Sequence, residues 1–186
     1  MARVKYDYCV GTADPKFKRQ LTAMLSTAGF YAIGSATSIP ELLRKLRAIQ
    51  PWLVVVDINL PPGNLEQLAS IIEDDGLAAA IYLGTPSPGL RRFPHLPWPV
   101  EERVLTAVAQ TVCLEFSRKK KLRQDLDKLK QQMRERREIE KAKLVIMQKS
   151  GADEEEAYRL IRSRSMRQRI PLIEAARQVL EENTGK

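Results

Sequence analysis

The sequence has few of the residues on which many enzymes and metalloproteins depend. Its 186 residues include one histidine, His95, and two cysteines, Cys9 and Cys113, with no C-x-x-C pair. We therefore predict no zinc site, no cofactor and no histidine-based enzyme. Two cysteines are too few for a disulfide scaffold, and both lie in apolar segments, so we expect reduced core residues.

Long apolar runs are also missing from the chain. The uncharged apolar stretch Gln50–Val56 is too short to span a membrane. The N-terminus has no extended apolar segment before a small-residue cleavage site, so no secretion signal is predicted. We expect a cytoplasmic protein without a membrane partner.

Positive charge is concentrated at one end of the sequence. Residues 1–116 hold 11 Lys and Arg against 11 Asp and Glu, whereas residues 117–186 hold 20 against 12. The formal net charge of +8 therefore lies in the C-terminal third. Concentrated basic charge favours a polyanionic partner, foremost nucleic acid. The alternative is a solvated basic helix, and charge alone does not decide between the two.

The first hundred residues alternate apolar runs with amphipathic segments. The predicted order is strand Tyr6–Val10, helix Asp14–Thr27, strand Phe30–Ile33, helix Ser38–Ile49, strand Trp52–Val56, helix Leu65–Glu73 and strand Ala79–Leu83. This order predicts an α/β doubly wound parallel sheet with helices on both faces. Five prolines between Thr85 and Pro99 leave room for a loop and a short fifth strand near His95–Trp98, but hardly for a full helix.

A single long helix is predicted to follow the sheet. Neither glycine nor proline occurs between Val100 and Gly151, so we expect one helix over about residues 101–149, about 70 Å long. A helix of this length cannot bury its apolar stripe on a small domain alone, which favours a homodimer through a coiled coil; a helical hairpin is the alternative. The predicted dimerisation seam has 4-3-4 spacing and consists of Leu122, Leu126, Leu129 and Met133.

Two short helices are predicted after Gly151. Asp153 followed by Glu156 is typical of a helix start, and this helix should run to about Gln168. Pro171 then begins a final helix. Together with the end of the long helix they form an all-α three-helix module. The expected domains are therefore an α/β domain at residues 1–100, a coiled-coil dimerisation helix at 101–133 and the module at 134–186.

The segment Pro51–Pro61, which carries Asp57 after a buried strand, resembles the third strand and phosphoacceptor aspartate of a response-regulator receiver domain. Gly11–Pro15 resembles the loop after the first strand of that family, and the resemblance covers about residues 1–116. It implies a receiver-like fold. It also makes Asp57 a candidate phosphoacceptor.

Three positions depart from the receiver pattern. Receivers have an acidic pair that holds Mg²⁺ where this sequence has Thr12 and Ala13, and a lysine before proline where it has Trp98. Mg²⁺ requires oxygen ligands, and phosphoryl transfer requires neutralisation of the phosphate charge. We therefore expect a degenerate pseudo-receiver in which Asp57 is a poor phosphoacceptor.

A second resemblance covers roughly residues 134–182. The stretches Ile139–Met147, Glu156–Arg162 and Ser165–Met166, followed by Leu172 and Val179–Leu180, resemble an ANTAR domain, the RNA-binding module of bacterial transcription-antitermination regulators. Leu144 and Ser165 depart from the glycine and alanine that are common in the family. The resemblance implies binding to RNA hairpin loops, which prevents a terminator from forming.

The candidate RNA-binding residues combine cations with one aromatic ring. Four arginines occur within eight residues without an acid among them, and guanidinium groups pair with phosphates and stack on bases. The aromatic residue is a candidate for stacking or for helix packing, whereas Met147 and Met166 are expected in the core. The candidates are Lys141, Lys143, Tyr158, Arg162, Arg164, Arg167 and Arg169.

These observations predict a dimeric transcription antiterminator. Its pseudo-receiver domain would respond to a regulatory protein partner, and its C-terminal modules would bind RNA hairpin loops. One alternative is a two-component regulator that is switched by phosphorylation of Asp57 and has the same RNA output. A DNA-binding regulator is another. A coiled-coil adaptor that binds only protein would leave the clustered arginines unexplained.

Overall fold

The structure, a computed structural model, describes residues 6–61 and 63–184. The chain forms two compact units, Met1–Lys121 and Leu122–Lys186, which have separate hydrophobic cores. No helix among the described residues combines the length and the apolar character that crossing a membrane requires.

The first unit is built around a parallel sheet of five strands in the order β2-β1-β3-β4-β5. This confirms the predicted α/β fold, including its short fifth strand. The elements are β1 (Asp7–Gly11), α1 (Pro15–Thr27), β2 (Tyr31–Ala36), α2 (Ile39–Ile49), β3 (Leu53–Asp57), α3 (Leu65–Asp74), β4 (Ala79–Leu83), a 3-10 turn (Pro88–Arg92), β5 (His95–Leu96) and the start of α4 (Glu102–Ser150).

The central strand β3 explains why helices cover both faces of the sheet. All five of its residues are buried. Leu53 and Val55 point into a core that they share with α1, whereas Val54 and Val56 point into a core that they share with α2 and α3. An uninterrupted apolar strand of this kind is stable only when both faces are removed from water.

The connection between β4 and β5 departs from the regular alternation of strands and helices. It contains one 3-10 turn, Pro88–Arg92, in place of a full helix. Proline lacks a backbone N–H donor and restricts the residue before it, so the closely spaced prolines of this segment prevent a longer helix. The expectation from the sequence is confirmed here.

The helix α4 belongs in part to the core of the first unit. Leu105, Ala109, Val112 and Cys113 recur at helical spacing and are buried against the sheet. We therefore propose that the boundary of the α/β unit lies inside α4, beyond the residue 100 that we expected. Both cysteines are free and buried, and burial raises the pKa of Cys113 to about 12, so this thiol stays protonated.

The second unit contains the rest of α4, α5 (Glu154–Gln168) and α6 (Leu172–Thr184). Gly151 ends α4 with a φ of 67°, which favours glycine, and the Asp153 carboxylate accepts a hydrogen bond from the Glu156 N–H at 2.7 Å. Both predicted signals are confirmed. The small core of this unit is formed mainly by Ala142, Ile161, Ala175, Ala176 and Val179.

Substitution of two leucines in α4 tests whether the first turns of this helix belong to the core of the first unit. Leu105 is fully buried, whereas Leu114 is 48% exposed. Leu105→Ala should lower the free energy of unfolding of the α/β unit by about 2–5 kcal/mol, because it leaves a cavity. Leu114→Ala, the matched control, should change it by less than about 0.5 kcal/mol.

Tryptophan fluorescence during urea unfolding reports on this unit, because Trp52 and Trp98 are the two tryptophans of the chain. Equal effects of the two substitutions would contradict the assignment.

Candidate functional site

The carboxylate of Asp57 lies at the carboxyl end of β3 and is held by hydrogen bonds from its own chain. The Thr12 hydroxyl donates to Oδ2 at 2.9 Å. The Asn59 backbone N–H donates to Oδ1 at 2.9 Å, and the Asn59 side-chain amide donates to the same oxygen at 3.1 Å. Asp57 is only 6% exposed, so these donors replace much of its contact with water.

The acidic loop expected of a receiver is absent around Asp57. Thr12 is buried and its Oγ1 accepts a hydrogen bond from the Asp14 N–H at 3.1 Å. The Asp14 carboxylate caps α1 by accepting from the Lys16 N–H at 2.7 Å. Nowhere in the described chain do three or more His, Cys, Asp or Glu side chains come close enough to hold a metal ion.

Trp98 stands where the receiver pattern has a lysine. Its ring packs against Phe17, with 4.5 Å between the ring centroids, and contributes to the core beside α1. A packed indole supplies no positive charge to a phosphoryl group. The site at Asp57 therefore has a buried carboxylate, with Thr12, Ala13 and Trp98 in place of the acidic pair and the lysine of the receiver pattern.

The C-terminal unit presents a cationic surface on α5. Ala157 and Ile161 are buried and mark the inward face of this helix. Arg162 and Arg167 are exposed, and neither has an ion-pair partner among the described residues. The guanidinium groups of Arg162 and Arg167 are therefore available to a polyanion.

Arg169 lies just past the end of α5 and not within it. The helix ends at Gln168, and Arg169 adopts a left-handed conformation with a φ of 56°. The Ser165 hydroxyl donates to the Ile170 carbonyl at 2.6 Å and ties the end of the helix to the next segment. Because α5 ends before Arg169, this residue does not continue the helix face on which Arg162 lies.

Two of the candidate cations are engaged by carboxylates. The Lys143 ammonium lies 2.6 Å from Glu154 and 2.8 Å from Glu140, and the residue is 7% exposed. Hydrogen bonds to Glu140 and Glu154 raise the pKa of Lys143, so it is charged at neutral pH. This cluster joins α4 to the first turn of α5. Lys141, two residues earlier, is exposed.

Arg164 has a comparable partner on α6. Its Nη1 donates to both carboxylate oxygens of Glu182 at 3.0 Å, and its side chain is only 25% exposed. Contact between RNA and Lys143 or Arg164 stays a prediction, and it would require a phosphate to take the place of a carboxylate. In the free chain these two residues hold the helices together.

The apolar candidates on α5 are more exposed than the sequence indicated. Tyr158 is 39% exposed and lies one helical turn before Arg162, on the same side of the helix. Met166 is 70% exposed, so the expectation that it belongs to the core is wrong. The reason is that α6 packs against the Ala157–Ile161 side of α5 and leaves Met166 on the opposite side.

One exposed cation on α5 is not among the residues predicted from the sequence. Arg159 is exposed on α5, three residues before Arg162, so the two share an outward surface. The helical spacing from Arg162 is a signal that could have found it. Leu144, where the family commonly has glycine, is 56% exposed and therefore does not crowd the core.

Several solved receiver domains share the fold of the first unit. A CheY-like response regulator receiver domain protein from Methanospirillum hungatei is 18% identical, with 62% of this chain and 98% of that chain covered and a TM-score of 0.53. A receiver domain protein from Clostridium thermocellum is 20% identical (63% and 98% covered, TM-score 0.51). The signal receiver domain of NarL from Mycobacterium tuberculosis is 18% identical (58% and 96% covered, TM-score 0.51).

The first unit thus has the fold of a response-regulator receiver domain. In the second unit, residues 127–180 match the ANTAR domain family, and the match spans the last turns of α4, all of α5 and most of α6. The chain therefore carries an ANTAR domain behind a receiver-fold unit, which confirms both resemblances noted in the sequence. No curated protein matches the chain in sequence.

The geometry at Asp57 predicts that it is a poor phosphoacceptor. Incubation of the full chain with acetyl phosphate and Mg²⁺ should give little or no phosphorylated product by intact mass, because Thr12, Ala13 and Trp98 stand where receivers have the acidic pair and the lysine. Asp57→Asn is the matched control. Stoichiometric modification of the wild-type protein that disappears in Asp57→Asn would overturn this prediction and favour a phosphorylation-switched regulator.

Proposed function

We propose that the ANTAR domain binds unpaired loops of RNA hairpins and that the chain is a transcription antiterminator. The observation that carries this proposal is the set of exposed arginines on α5 that have no carboxylate partner among the described residues, within a segment that matches the ANTAR family. Holding such a hairpin would keep the nascent RNA from forming a terminator. The proposed activity is binding and not catalysis.

The charges of α5 support an RNA partner. Arg162 and Arg167 can pair with phosphates in a fork geometry and stack on bases, which lysine cannot do in the same way. Tyr158, one turn from Arg162, offers an aromatic face to an unstacked base. Lys141 extends the cationic surface along α4. The combination of guanidinium groups with an exposed ring suits single-stranded loops.

Arg169, at the end of α5, is a further candidate for RNA contact. A non-glycine residue in the left-handed region costs roughly 1–2 kcal/mol, and glycine usually takes this position at the end of a helix. Arg169 is exposed at this position, so its guanidinium group is accessible to RNA. We propose that this group contacts the RNA backbone beside the end of α5.

The exposed seam of α4 supports a homodimer. Leu122, Leu126, Leu129 and Met133 are 47–62% exposed, and together they form an apolar stripe. Complete burial of an exposed leucine stabilises by about 1.5–3 kcal/mol, and each of these half-exposed side chains would gain part of that by pairing with the same stripe on a second copy. Two ANTAR domains in one dimer suit two hairpins, because the linkage raises the effective concentration of the second site.

The state of Asp57 supports control by a protein partner. Its carboxylate already accepts hydrogen bonds from Thr12 and Asn59, so a phosphoryl switch would have to displace them. We propose that a regulatory protein binds the receiver-fold unit instead. A DNA-binding regulator would use the same arginines in a groove of a duplex, and competition between nucleic acids distinguishes the two.

The dimer is tested by changing the seam. Replacing Leu126 and Leu129 together by glutamate should convert the chain to a monomer at micromolar concentration, because like charges would face each other. The control replaces Gln124 and Gln131, which lie outside the seam, by glutamate and adds the same charge. Sedimentation velocity measures both. A wild-type chain that is monomeric under these conditions would contradict the proposed dimer.

The RNA interface is tested by binding measurements against salt concentration. Arg162→Ala and Arg167→Ala should weaken hairpin binding, with the salt slope reduced by about one for a phosphate contact or a loss of about 1–3 kcal/mol for a base contact. Arg19→Ala in α1 is the control, since it removes the same charge from an exposed position of the first unit. Both α5 variants binding like the wild type would refute the site.

Arg169→Gly separates stability from binding. Glycine removes the strain of the left-handed conformation, so thermal stability should be unchanged or higher, whereas RNA affinity should fall. An arginine with only a structural role would show the reverse pattern.

Competition between nucleic acids tests the choice of partner. If duplex DNA of matched length competes as well as the hairpins, the DNA-binding alternative is favoured over antitermination.

A further inference from the structure

A cleft of about 520 Å³ lies inside the C-terminal unit, between the end of α4, α5 and α6. Val145, Leu160 and Val179 supply its apolar lining, and Lys149 and Arg167 contribute cations. Its volume falls within the range of roughly 300–1,000 Å³ that is typical of small-ligand sites. The cleft therefore offers an apolar surface that is edged by positive charge.

Asn183, on the α6 wall of this cleft, has one amide atom paired and one unpaired. Its Nδ2 donates to the Val179 carbonyl at 2.5 Å. Its Oδ1 is enclosed and has no hydrogen-bond partner within residues 6–61 and 63–184. Enclosed polar atoms in native proteins almost always have a partner. Because Oδ1 is enclosed in the free chain, a ligand in the cleft reaches it only when the Asn183 amide turns, and an N–H or O–H donor of the ligand would then supply the missing partner.

The charges around the cleft favour an anionic ligand. Glu182 is the one carboxylate that lines it, and both of its oxygens accept from Arg164. Lys149 and Arg167 are exposed and have no ion-pair partner in the described part of the chain. A nucleotide combines the three features required here, which are a flat apolar body, N–H donors on its edge and a phosphate.

We propose that this cleft receives one unpaired base of an RNA loop. The base packs against Leu160, and an N–H donor on the edge of the base pairs with Asn183 Oδ1. The phosphate of the same nucleotide pairs with Arg167 and Lys149. The inference rests on the proposed RNA binding and adds the place where a single base is read. Sequence-specific RNA recognition commonly splays a base out of the loop and binds its edge. An apolar cleft lined by an amide supplies such a receptor.

The experiment pairs cleft variants with RNAs that lack single bases. The full chain first selects a tight binder from stem–loop RNAs with a randomised loop, and each loop nucleotide is then replaced in turn by an abasic ribose. At one loop position, base removal should weaken binding to the wild type by about tenfold or more. That loss should largely disappear in Asn183→Leu and in Leu160→Ala, because the free-energy effects of removing two groups that contact each other are not additive.

Leu144→Ala is the matched control for Leu160→Ala. The two leucines are similarly exposed, at 56% and 53%, but only Leu160 lines the cleft. Leu144→Ala should show the full wild-type loss at every position. Asn183→Leu should leave the melting temperature unchanged or raise it, since it removes an unpaired acceptor. A lower melting temperature would indicate a purely structural role for Asn183 and count against the proposal.

The outcomes separate this inference from the proposed function. If hairpins bind the wild type but base removal costs every variant the same at every loop position, RNA binding stands and the base receptor is refuted. If the wild type selects no hairpin over duplex DNA, the proposed function fails and the inference fails with it. Coupling of both cleft variants to one loop position, without coupling of Leu144→Ala, supports both.

Discussion

Both units depend on the burial of a single helix, α4. Its first turns contribute Leu105 and Cys113 to the core beside β3, and its last turns contribute Ala142 to the core of the ANTAR domain. The stretch between them keeps an apolar stripe, Leu122–Met133, exposed on the chain. One uninterrupted helix thus supplies two cores and the proposed dimer seam, so a proline or a glycine within it would affect stability and assembly together.

The receiver-fold unit retains the position of the phosphoacceptor but has different chemistry around it. In receivers that transfer phosphate, a carboxylate is kept reactive by Mg²⁺ and a lysine. Here Thr12 and Asn59 hydrogen-bond the Asp57 carboxylate, and Trp98 packs against Phe17. These contacts stabilise one state of the loop at the end of β3. A phosphoryl group on Asp57 would have to displace these hydrogen bonds.

The cations of the ANTAR domain have two physical roles that their sequence does not distinguish. Lys143 and Arg164 are partly removed from water and pair with Glu154 and Glu182, so they contribute to helix packing. Arg162 and Arg167 are both exposed and are available to an anion. A phosphate must compete with a carboxylate at Lys143 and Arg164, but only with water at Arg162 and Arg167. Arg162 and Arg167 are therefore the better candidates for RNA contact.

The sequence by itself determined the elements, their order and the ANTAR motif, because apolar periodicity, capping and helix-ending residues act over a few neighbours. The Asp153 cap, Gly151 and the prolines before β5 are of this kind, and each predicted element lies within a few residues of its observed bounds. Only the tertiary structure decided which charges are paired, since Lys143 and Arg164 meet carboxylates 11 and 18 residues away. It also decided that Met166 is exposed and that Asn183 borders a cleft. Such contacts depend on how helices pack, and no local pattern specifies them.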